Sequence, residues 1–225
     1  MTFLKSNWIL ITVLFSILFL TTCTLTYAYY VNQESRGIVL VSGSFEVSVL
    51  AYFDEDEITV ESPYYEVENQ VIVVNAFDQT SQNYIGKLKI SIEIIPRITA
   101  RMRIQLQDEW LLTRTFLDEN GLPTVPVVES VYHTPKGEGY YPFSLLKTDS
   151  SFLPIYASDS YAYIDEVLNK NTLYRYDVII GGDPYPVRSN YYYTETCMVR
   201  LGLIIDVIQA NRFQELWGLE ETFYN

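Results

Sequence analysis

One histidine, His133, and two cysteines, Cys23 and Cys197, are the whole supply of the side chains that most often carry nucleophilic or metal chemistry. A single histidine cannot build the His-Glu-Xaa-Xaa-His pair that holds a catalytic zinc. A Ser-His-Asp triad would have to use His133, in Tyr132-His133-Thr134-Pro135-Lys136-Gly137, and no Gly-Xaa-Ser-Xaa-Gly turn accompanies it. His133 therefore reads as an exposed loop histidine. Cys197 lies in an apolar alternating run and reads as a small buried hydrophobe. Cys23 lies inside a hydrophobic segment, so no disulfide between the two is expected.

The carboxylates are numerous but unspecific. Among 28 acidic residues no pair has the spacing that would single it out for glycoside hydrolysis. The run Asp54, Glu55, Asp56 and Glu57 offers oxygen ligands for calcium but lacks the alternation and glycine of a dedicated loop. Calcium binding and a solvated acidic turn both remain open there. Gly181-Gly182 is followed by Asp183-Pro184, which suits a turn and not a phosphate cradle. Fifteen basic residues against 28 acidic ones leave a net charge of −13, which excludes a phosphate-binding, nucleic-acid role. The chain is expected to be no enzyme and to need no metal or cofactor.

Tyrosine is the residue type with a functional reading left. There are 20, including Tyr140-Tyr141 and Tyr191-Tyr192-Tyr193. Exposed, they would form stacking surfaces for sugars or partner proteins. Packed alternately, they would fill a β-sandwich.

The elements that position these residues fall into two regimes. No charged residue occurs from Ser6 to Gln33, and the centre, Trp8 to Leu20, is continuously apolar. Lys5 precedes it, so the positive-inside preference leaves the amino terminus in the cytoplasm and exports the remainder. Residues 1–28 are either a signal peptide cut between Ala28 and Tyr29 or an uncut anchor. Lipidation at Cys23 is disfavoured, because Thr22 is bulkier than the residue such a site requires. Removing 1–28 takes away only Lys5 among charged residues, so the exported part is acidic either way.

After Gln33 the period becomes two. Residues 39–49 alternate with odd positions apolar or glycine, 87–94 with even positions apolar, and 100–107 again, sending Arg101, Arg103, Gln105 and Gln107 to solvent before Trp110 closes the run. Pro96 interrupts between them. Further strands are expected at 70–75, 127–132, 140–146 and 173–180, while 160–168 fits a short helix or a strand. The longest signal puts Cys197, Val199, Leu201, Leu203, Ile205 and Val207 on one apolar face, with Arg200 and Asp206 on the other. One or two helical turns fit 212–217. The expected fold is all-β, a jelly-roll-like or Ig-like β-sandwich occupying 45–225, after an N-terminal hydrophobic helix.

Three places carry a family resemblance. They are Ala28-Tyr29-Tyr30-Val31-Asn32; the segment Ile98-Thr99-Ala100-Arg101-Met102-Arg103-Ile104 followed by Trp110; and Ile208-Gln209-Ala210 followed by Leu216-Trp217-Gly218. In their order the chain resembles the TasA/camelysin-like secreted surface proteins of Gram-positive bacteria, which are cut by a dedicated SipW-type signal peptidase. It departs from them in having Ile94-Ile95-Pro96-Arg97 where an Asn-Xaa-Gly-Asn lead is usual. The resemblance implies a non-enzymatic extracytoplasmic surface or biofilm-matrix protein that polymerises when a freed N-terminal strand completes a neighbour's sheet. Residues 29–44 would hold that strand, with Val39, Val41 and Gly43 on its face; the plainer reading is a first strand of the chain's own domain. The alternative function is a membrane-anchored sandwich that binds cell-wall glycan or a surface protein through Tyr191, Tyr192 and Tyr193.

Overall fold

A computed structural model describes residues 38–42, 45–133, 154–156 and 159–224. The chain divides into two compact units, Met1–Arg36 and Gly37–Asn225, and every described residue belongs to the second. The hydrophobic segment, Cys23, the Ala28–Tyr29 junction, Gly43, Tyr140-Tyr141 and the strand expected at 140–146 lie outside the described residues. Among those described, no helix is long and apolar enough to cross a membrane.

Among the described residues twelve strands follow one another: β1 (Ile38–Ser42), β2 (Phe45–Phe53), β3 (Asp56–Glu57), β4 (Tyr65–Glu66), β5 (Val71–Asn75), β6 (Leu88–Pro96), β7 (Ala100–Leu117), β8 (Pro123–Tyr132), β9 (Pro154–Tyr156), β10 (Ala162–Ile164), β11 (Tyr174–Ile180) and β12 (Tyr193–Gln209). A short helix, α1 (Phe213–Trp217), follows them. The strands form two antiparallel sheets. A five-stranded sheet runs β1-β2-β6-β11 with β3 attached to β2, and a seven-stranded sheet runs β4-β5-β12-β7-β10-β9 with β8 attached to β7. The architecture is an all-β sandwich.

Period-two patterning explains the core. Phe45, Val47, Val49, Ala51 and Phe53 of β2 are buried, as are Leu88, Ile90, Ile92 and Ile94 of β6. They meet Met102, Ile104, Leu106 and Trp110 of β7 and Cys197, Val199 and Leu201 of β12 in a single cluster. Each large aliphatic buried this way contributes about 1.5–3 kcal/mol relative to exposure. Tyr176 of β11 is also buried, and its hydroxyl donates to Glu166 Oε1 at 2.5 Å, which satisfies the one polar atom it carries inward.

Several expectations change. Residues 39–49 are not one strand: Ser42 pairs with Phe45, so β1 and β2 form a hairpin across Gly43-Ser44. Two-residue connections with glycine favour such reversals, and alternation alone does not reveal them. Trp110 does not end its strand. β7 is 18 residues long and continues through Thr113, Thr115 and Phe116 to Leu117, because β12 provides backbone partners as far as Tyr193 opposite Phe116. β8 begins at Pro123 rather than 127, and the ambiguous stretch 160–168 contains a strand, β10. Gly181 ends β11 with φ +106°, and a Cβ there would lie 2.8 Å from Gly86 O, so only glycine fits that turn.

Candidate functional site

Arg103 does not project freely into solvent. It stands on β7 directly opposite Asp206 of β12 on one side and Tyr163 of β10 on the other. Its Nε donates to Asp206 Oδ2 at 2.9 Å, and its Nη1 donates to Tyr163 Oη at 3.0 Å and lies 3.3 Å from Asp159 Oδ2. The guanidinium carbon sits 3.9 Å from the ring centre of Tyr161 and 4.9 Å from that of Trp217. The side chain is 15% exposed, so this cation is held by charge, hydrogen bonds and aromatic faces together.

The C-terminal segment closes the cluster. Ala210 N donates to Thr99 O at 2.9 Å as the chain leaves β12 at Gln209, which pairs with Ala100. α1 then presents Trp217, whose indole N–H donates to Asp206 Oδ2 at 2.8 Å. Gly218, at φ 67°, caps α1 and returns its N–H to Gln214 O at 3.0 Å. Farther on, Phe223 packs edge-on against Tyr163, and Tyr224 lies under Arg101 with 3.6 Å between guanidinium and ring centre. Tyr163 is fully buried although it belongs to the outer face of the sheet. Burial, and then its hydrogen bond to Asp159, push its phenol up to about 12.

Of the residues singled out by the family resemblance, Arg101, Arg103, Gln209, Ala210, Trp217 and Gly218 therefore gather at one place. Trp110 does not join them. It lies in the main core, stacked on Tyr132 at 5.8 Å and against Tyr185 at 5.5 Å, and its indole N–H donates to the Asp108 carboxylate. The cluster contains no activated nucleophile, and its donors and acceptors are turned on one another. Its work is to fasten the last 15 described residues to the sheet. Asp159, Tyr161 and Tyr163 escaped sequence reasoning; the outward Asp206 was the only signal of a partner for an arginine.

The three consecutive tyrosines divide. Tyr191 and Tyr192 are 64% and 69% exposed, with rings at 88° to each other, so they offer two separate faces and not one continuous platform. Tyr193 instead lies beneath Arg114, 4.5 Å from the guanidinium, and edge-on to Phe116. His133 is exposed, with its Nδ1 2.6 Å from Asp108 O. Cys197 is fully buried, and burial pushes its thiol up to about 12, where it is inert at neutral pH. In the acidic turn, Asp54 has φ 54° and Asp56 accepts a hydrogen bond from Gln82 at 2.8 Å. Among the described residues no three His, Cys, Asp or Glu side chains are grouped to hold a metal.

One charged pair links the site's neighbourhood to pH. Glu195 is buried opposite Arg114, which donates to its Oε1 at 3.0 and 2.5 Å, and Arg188 N donates to Oε2 at 2.7 Å. The Arg114 hydrogen bonds, then the Arg188 amide, hold this carboxyl below the usual carboxylate range. A depressed folded-state value contributes stability above the unfolded value of about 4.3, and that contribution is lost as pH falls through the folded one. Thermal melts should thus show Tm declining as pH drops below about 4.3, and Glu195→Gln should flatten the decline. An unchanged slope in that variant would remove Glu195 from the account.

Comparison of the chain with protein-family models, with curated proteins and with solved structures finds no match.

Proposed function

We propose that this chain is a non-enzymatic protein of the extracytoplasmic surface or matrix that self-associates by adding its N-terminal strand to the sheet of another copy. The observation that carries the reading is the place of β1. Among the described residues it is the terminal strand of its sheet, and its ladder there runs to β2 alone, from Ile38 opposite Val49 to Ser42 opposite Phe45. Lifting β1 away would uncover the edge of β2, a nine-residue strand with five buried apolar positions, to which the same strand from a neighbour could pair. Val39 and Val41 are paired with Ser48 and Glu46 in the hairpin.

Export is supported by the uncharged stretch from Ser6 to Gln33, and secretion or anchoring is decided by whether the chain is cut at Ala28-Tyr29. Jelly-roll-like connectivity is favoured over the Ig-like kind because the last strand, β12, lies inside its sheet between β5 and β7. In an Ig-like sandwich the last strand occupies the edge of the smaller sheet. The juxtaposition of the two arginines with the Trp-Gly turn gives the TasA/camelysin-like motifs a shared structural purpose and so supports that resemblance.

Electron microscopy of the purified exported protein tests the reading. Filaments are expected, with an amino terminus at Tyr29 by mass, and deletion of residues 37–44 should abolish them. A protein that stays monomeric at high concentration would refute self-association.

A further inference from the structure

We infer that the outer face of the seven-stranded sheet carries a groove for a neutral saccharide. The groove has a volume of about 370 Å³, and its lining includes Val71, Gln107, Asp108, Glu109, His133, Arg200 and Gly202. That is within the size range of small-molecule sites. It lies on β5, β7 and β12, on the sheet opposite the one that contains β1, so it does not depend on the assembly reading.

Gly202 makes the groove. It sits inside β12 opposite Gln107, an interior strand position where glycine weakens the strand. Neither backbone nor crowding demands it: its φ is not in the left-handed region, and a Cβ would meet Val71 Cγ1 at 3.6 Å and Gln107 Cβ at 3.8 Å, ordinary contact distances. A longer side chain there would fill the space. What the glycine contributes is the opening itself.

The lining is set for hydroxyl groups. Arg200 is pinned by Glu66, with Nε at 3.0 and 3.1 Å from its two oxygens, and by Glu109, with Nη1 at 2.7 Å, which leaves Nη2 as a fixed donor without a hydrogen-bond partner among the described residues. The Gln107 amide adds a donor and an acceptor. His133 Nδ1 faces a carbonyl oxygen, which only accepts, so this nitrogen carries the proton and Nε2 is left as the acceptor of the neutral ring. Two carboxylates against one guanidinium disfavour an anion. Groups that both donate and accept fit the mixture, and adjacent hydroxyls on a sugar ring supply them.

The test is calorimetric titration of the full chain in detergent with cellotetraose, chitotetraose and maltotetraose. At least one should bind, Gly202→Leu and Gln107→Ala should each weaken binding tenfold or more, and Tyr191→Ala should leave it unchanged. Should Gly202→Leu fail to fold, Gln107→Ala alone decides. Absence of heat with all three sugars at millimolar concentration overturns the inference, as does undiminished binding in a folded groove variant.

Discussion

Arg103→Ala is expected to lower the unfolding free energy by about 2–3 kcal/mol, between the cost of breaking a buried ion pair and that of an exposed one. Asp206 and Asp159 are about a third exposed, so water would partly replace the lost guanidinium and the full buried-pair penalty would not appear. Tyr163 Oη and the rings of Tyr161 and Trp217 would lose a donor and a cation over their faces, each ring contact adding about 0.5–1 kcal/mol. For a domain of this size the shift in Tm is about 4–12 °C. Arg103→Lys should fall between, because an ammonium keeps the charge but loses the fork that reaches Asp206 and Tyr163 together. The cluster's location supplies a second readout. Limited proteolysis should cut after Gln209 more readily in the alanine variant while the sandwich remains intact, since Trp217 would lose the guanidinium over its ring and keep its bond to Asp206 and its edge-on contact with Tyr163. Unaltered melting and unaltered proteolysis would show that the C-terminal segment is held by something else.

That arginine also marks where sequence reading stops. The inward faces of β2, β6, β7 and β12 were legible because burial on one face leaves alternation in the residues themselves, as in Leu88, Ile90, Ile92 and Ile94. Outward positions carry no such record. Arg101 and Arg103 look like solvated charges until a segment more than a hundred residues later in sequence is laid over them. Nothing local distinguishes an arginine facing water from one facing Tyr161 and Trp217. Pairing has the same limit: the alternation of 39–49 runs unbroken in the sequence, yet the two-residue reversal pairs odd positions of β1 with even positions of β2, Val41 with Glu46 and Val39 with Ser48, so the shared face switches parity where the sequence shows no break. The candidate surface on Tyr191-Tyr192-Tyr193 was legible as composition only, and the third ring's retreat beneath Arg114 follows from a cross-strand neighbour. The groove at Gly202 was not legible, because an opening is made by what three strands leave out.

The hairpin also supplies the prediction with the sharpest outcome. In the assembly reading, β1 on its own β2 and β1 on a neighbour's β2 make the same ladder, so their hydrogen bonds cancel in the comparison. What favours the closed form is proximity: a strand tethered by two residues has an effective concentration in the millimolar range, which a neighbour must match. Filaments should therefore appear only above a threshold concentration, and holding the hairpin shut should remove them altogether. Val39 and Ser48 are register partners, so Val39→Cys with Ser48→Cys places two thiols across the ladder. Cys197, fully buried with its thiol pushed up to about 12, does not compete for oxidation. Oxidised as a monomer at low concentration, the double variant should form no filaments at any concentration, and a reducing agent should restore them in the same sample. Filaments growing while the intramolecular bond is intact would mean that β1 never leaves β2, and assembly would then have to use another edge.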